Sequence, residues 1–239
     1  MKILNKLLFT TILSVSAFAL SQPNASALTM QLKIDYGSRH SGVGGEFNIS
    51  SADFSPAALG YAPNAIMNSG FETFCVEMNE YFTPGSTYYY GISDGAVNGG
   101  ISGGNPDPVS RGSAWLYSQF AHGTLAGYDY NTLGGSSTSA ASLQQAIWWL
   151  EGEISTQNFS NPFETAVVSQ FGSAANAMLD NNGAFGVGVL NIWADARHTQ
   201  FAQDQLILTH VPDGGTTALL LGAGVISLVF FGRKHSVRA

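Results

Sequence analysis

The 239-residue chain has a single cysteine, only nine lysines and arginines, and few charged residues of any kind (10%). One cysteine permits no intramolecular disulfide, so the fold must rest on its core or on another kind of cross-link. The shortage of cations is sharpest in the middle: residues 28–210 hold Lys33, Arg39, Arg111 and Arg197 against fifteen carboxylates, a net charge of −11. So acidic a surface repels phosphate backbones and excludes nucleic acid as a partner. His40, His122, His198 and His210 fall singly, without metal-ligand spacing. No glycine loop precedes a helix in phosphate-binding form, and there is no internal repeat. Asp129-Tyr130-Asn131 opens like a calcium loop, but Leu133 and Ala140 stand where oxygen ligands are needed. The near neighbours Glu77 and Glu80, or Glu151 and Glu153, read as solvated faces, not as a glycosidase pair. No cofactor is implied.

What is abundant is glycine, serine, asparagine and aromatic residues, a composition common in secreted β-rich and matrix proteins. The two ends predict export. Lys2 and Lys6 precede an apolar stretch, Leu7 to Leu20, and Ala25-Ser26-Ala27 offers a cleavage site, so residues 1–27 read as a secretory signal. At the other end Val211-Pro212-Asp213-Gly214-Gly215 is followed by apolar Thr216 to Phe231 and then Arg233, Lys234 and Arg238. That order predicts a C-terminal membrane helix with its basic tail in the cytoplasm and the preceding domain outside. Residues 211–239 resemble the PEP-CTERM sorting signals processed by exosortases, with Val-Pro-Asp in place of the commoner Val-Pro-Glu-Pro. The resemblance implies an exosortase-like processing partner and a location at the cell surface or outside it.

Residues 28–210 suffice for one domain. Met30, Leu32, Ile34 and Tyr36 alternate as in a strand, and Gly37 to Gly45 reads as a flexible turn into a second strand at Glu46–Ile49. Further strands are expected at Phe71–Met78, Thr87–Ile92, Val187–Trp193 and Gln205–Thr209, with 93–108 as pure loop. Helices are expected at Ser110–Ala121 and from an N-cap at Ser142 through Glu151, which places Gln144 in the first turn. A third is expected from a capping box at Asn161-Pro162-Phe163-Glu164 to Gly183. Strands, then helices, then strands predict an α+β fold, a β-sheet or sandwich scaffold carrying a helical insertion.

The lone Cys75 lies in Phe74-Cys75-Val76-Glu77-Met78-Asn79, and Gln144-Gln145-Ala146-Ile147-Trp148 follows downstream. An unpaired thiol on an exported protein is exposed to oxidation unless it is buried or chemically masked. These two motifs, with Ala114-Trp115-Leu116-Tyr117 between them, resemble the thioester domains of bacterial surface adhesins; Leu143 replaces the usual threonine. The resemblance spans roughly residues 70–155. It implies an internal thioester between Cys75 and Gln144, with Gln145 at the variable position. Phe74, Trp148 and Trp115 are the expected apolar cover. It further implies covalent attachment to an amine- or hydroxyl-bearing surface molecule or matrix polymer, a single-turnover act and not enzyme catalysis. Two alternatives stand beside it. One is a non-covalent matrix component with a passive buried thiol. The other is a cysteine hydrolase pairing Cys75 with His122 or His198.

Overall fold

Leu32 and Ile34 are buried and Gln31 and Lys33 exposed along the first strand, β1 (Gln31–Tyr36), as alternation requires. The computed structural model describes residues 30–209 apart from 43, 99, 102, 103 and 132–136. The predicted signal and the sorting tail, with Val211, Pro212 and Asp213, lie outside the described residues, as does the predicted membrane helix. Among the described residues no helix is long and apolar enough to cross a membrane.

After β1 come β2 (Phe47–Ser50), a short helix α1 (Pro56–Leu59), β3 (Ile66–Met67), β4 (Gly70–Thr73) and β5 (Thr87–Ser93). The stretch expected as pure loop contains a small hairpin, β6 (Gly95–Ala96) with β7 (Asp107–Pro108). Helices α2 (Arg111–Ala121), α3 (Thr138–Leu150), α4 (Pro162–Phe171) and α5 (Ala174–Ala177) follow, and β8 (Val187–Trp193) and β9 (Phe201–Leu208) return to the sheet. The sheet runs β3-β4-β2-β1-β5-β8-β9, every pairing antiparallel. The fold is therefore α+β, a sheet scaffold with helices inserted between β5 and β8. Helix α2 touches β4, β8 and β9 and packs on α3 and α4. Leu116, Phe120, Leu143, Ile147 and Phe163 fill the space between them at 0% exposure, each worth about 1.5–3 kcal/mol of burial.

Two departures from expectation shape the site. The strand expected at Phe71–Met78 stops at Thr73, because its partner β2 begins at Phe47, opposite Thr73. Beyond that point the chain changes partner. Leu206 N donates to Phe74 O (3.0 Å), Val76 N donates to Asp204 O (3.1 Å), and Cys75 bridges Gln205. The segment 74–76 thus closes the sheet on its far strand, β9, and Cys75 sits in the seam. Second, α3 is capped by Ser137, whose side chain accepts from Ala140 N, and not by Ser142. Ser142 lies inside the helix, where its carbonyl accepts from Asn161 Nδ2. The earlier cap extends the helix through Ala140 and Ala141, both strong helix formers. Gln144 is consequently in the second turn, beyond the free N–H groups of the helix start.

The other helix ends follow their caps. Ser110, expected as the first helical residue, instead caps α2 by accepting from Ser113 N. Asn161 caps α4 ahead of Pro162, but Glu164 reaches back to Asn158 N (2.6 Å) and does not close a box on Asn161. Gly172, left-handed at φ 78°, stops α4 well before Gly183.

Candidate functional site

Cys75 and Gln144 are 0% and 1% exposed and lie against each other, the sulfur 3.3 Å from Gln144 Oε1. The carboxamide is held at both ends. Its oxygen accepts from Gly45 N (2.9 Å) and from Cys75 N (3.2 Å), and its nitrogen donates to Cys75 O (2.8 Å). Two converging backbone N–H groups on one carbonyl oxygen are the arrangement that stabilises a tetrahedral oxyanion. These donors come from the seam and from the strap at Gly44–Gly45, not from the start of α3.

That strap was legible only as a flexible turn, yet its glycines are required by contact. A Cβ on Gly44 would lie 2.5 Å from Gln144 Cγ, and one on Gly45 would lie 2.8 Å from Phe74 Cδ1 and 3.1 Å from Gln144 Oε1. The strap is anchored by Arg39, which is 2% exposed. Its guanidinium donates to Glu46 Oε1 (3.0 Å), Asn64 O (2.9 Å), Tyr130 O (3.3 Å) and Glu72. Tyr128 and Ser38 also donate to Glu46. Burial, together with Glu72 sharing the one guanidinium, pushes the Glu46 carboxyl up to about 8. Arg39 cannot neutralise two buried acids.

Of the expected cover, Phe74 is fully buried, edge-on to Phe120, and Trp148 reaches the strap at Gly44. Trp115 is not brought to the pair in this way; its half-buried indole stands edge-on to Phe171 of α4. His122 bonds Ser118 and His198 stacks on Trp193, and neither is among the hydrogen-bond partners of Cys75. Burial raises the Cys75 thiol well above its ordinary range; Glu77 and Glu153 add to this and the Trp148 indole opposes it. The sulfur therefore rests as a thiol.

Glu77 and Glu80, expected on a solvated face, are elsewhere. Glu77 is 1% exposed, and carboxylate oxygens of Glu77, Glu80 and Asp204 lie within 4.8 Å of one another. Glu153 is buried too, accepting from Met78 N and Ile101 N. Nothing local in the sequence signals these acids, because their burial depends on the closure at β9. The chain matches no family model, no curated protein and no solved structure.

Proposed function

We propose that Cys75 and Gln144 form an internal thioester through which this protein attaches covalently to a nucleophile at the cell surface or in extracellular polymer. One observation carries the reading: the Gln144 carboxamide is fixed against the sulfur with its oxygen between two backbone donors, all of it out of water. In the first step the S–C bond forms as Cys75 Sγ attacks Gln144 Cδ. Charge gathers on Oε1, where Gly45 N and Cys75 N receive it. The C–N bond then breaks, and the thiol proton leaves with the nitrogen as ammonia. Burial of the product by Phe74 and Trp148 slows hydrolysis. In the second step an amine adds to the thioester carbonyl, an amide forms at Gln144, and the sulfur regains a proton as a free thiol. Each molecule acts once.

The signal and tail read from the sequence put this chemistry outside the cell, with an exosortase-like enzyme handling the tail and an amine- or hydroxyl-bearing partner as the target. The alternative, a non-covalent matrix component, is favoured by the raised thiol and keeps the same contacts as packing alone. Incubation with methylamine distinguishes them. The thioester protein gains methylamide at Gln144 and exposes one thiol at Cys75. A passive protein gains neither, and that result would reject the proposal.

A further inference from the structure

Two residues past the sulfur the chain enters a cluster of acids with no cation of its own. Glu77 is 1% and Asp204 0% exposed, and Glu80 is half-buried. Glu77 and Glu80 come from the segment after β4, and Asp204 comes from β9. Donors occupy part of each carboxylate. Gly100 N donates to Glu77 Oε1 (3.0 Å) and Asn98 Nδ2 to Glu80 Oε1 (3.2 Å). Asp204 accepts from Val97 N (2.8 Å), Asn191 Nδ2 (3.0 Å) and Ile192 N (2.9 Å). The remaining oxygens of Glu77 and Glu80, both Oε2, are buried with no hydrogen-bond partner. A buried carboxylate oxygen without a donor or a cation is strongly unfavourable. The ion pairs among the described residues join Lys33 to Asp35 and Arg39 to Glu46 and Glu72, so no lysine or arginine reaches this cluster.

We propose that Glu77, Glu80 and Asp204 form a calcium site. The donors are all carboxylate oxygens, which select a hard cation over transition metals. Ligand atoms within 4.8 Å of one another can converge on one such cation. Magnesium demands a near-ideal octahedron and keeps its waters, which two carboxylates as buried as Glu77 and Asp204 do not favour. Calcium would supply the charge that the unpartnered oxygens lack. It would tie the segment after Cys75 to β9 and to the loop at Val97–Gly100, a cross-link in a chain that can form no internal disulfide. This site does not rest on the thioester reading.

The test is calorimetric titration of the full chain, stripped with chelator, with calcium chloride and in parallel with magnesium chloride, alongside thermal unfolding. Calcium should bind at one site and raise Tm, magnesium should bind about tenfold more weakly or worse, and Glu77→Gln or Glu80→Gln should each weaken calcium about tenfold or more. Glu80 is half-exposed, so its variant reports even if Glu77→Gln does not fold. Absence of calcium heat and of any Tm shift, unchanged calcium binding in Glu80→Gln, or magnesium binding as tight as calcium would each overturn the assignment.

Discussion

Two buried acid clusters flank the Cys75–Gln144 pair, and they are compensated in opposite ways. On the strap side Glu46 and Glu72 share Arg39, which also bonds the carbonyls of Asn64 and Tyr130. On the seam side Glu77, Glu80 and Asp204 share only neutral donors, and two of their oxygens have none. The first cluster draws its one countercharge from within the chain and fixes the Gly45 N–H that faces Gln144. The second waits for charge from outside and steadies the segment that carries the sulfur. Acids buried near a reactive pair thus need not share a role; what matters is where the countercharge comes from.

Removing the internal countercharge should have the largest effect. Arg39→Met leaves Glu46 and Glu72 buried and unpaired, and a loss of about 3–5 kcal/mol is expected in urea unfolding. Next, Gly44→Ala separates the strap from its anchor. Its Cβ overlaps Gln144 Cγ, so about 1–3 kcal/mol is lost, and any reaction between Cys75 and Gln144 stops although Arg39 is intact. On the other side the sign reverses with conditions. Glu77→Gln should stabilise the chelated protein by about 1 kcal/mol, since its amide can donate where two acids now face each other, and should destabilise the calcium-loaded one. A variant destabilised in both conditions would break the contrast.

The strap cluster also makes stability depend on pH. Glu46 is held at about 8 in the fold against an ordinary carboxyl value of 4.5. The folded chain therefore binds that proton more tightly, and the stability it supplies is present at pH 5 and lost as pH rises toward 8. Unfolding measured in calcium should show this decline, and Glu46→Gln should flatten it.

Local pattern made much of the fold legible. Alternation found β1, the stretches 87–92 and 187–193 read as strands close to the bounds of β5 and β8, and Ser110 and Asn161-Pro162 marked two helix starts. What escaped depends on partners distant in sequence. Cys75 leaves its strand because β2 begins only at Phe47, opposite Thr73, and β9 takes over, which no six-residue window contains. Ser142 offered a capping box as good as the cap at Ser137, and the Thr-Ser-Ala-Ala stretch between them decided for the earlier one. Resemblance singled out Cys75 and Gln144, which the structure brings together. It did not show that Gly45 N and Cys75 N both donate to the Gln144 carboxamide oxygen, because a backbone N–H carries no side-chain signature. Gly44-Gly45 directly before a strand was the available signal.

The central claim is most directly tested by the intact mass of the protein purified under mild, amine-free conditions. The account predicts a mass short by one ammonia, restored to full value in both Cys75→Ala and Gln144→Ala. A full mass in the unaltered chain, with a thiol at Cys75 that titrates freely after unfolding, would contradict it.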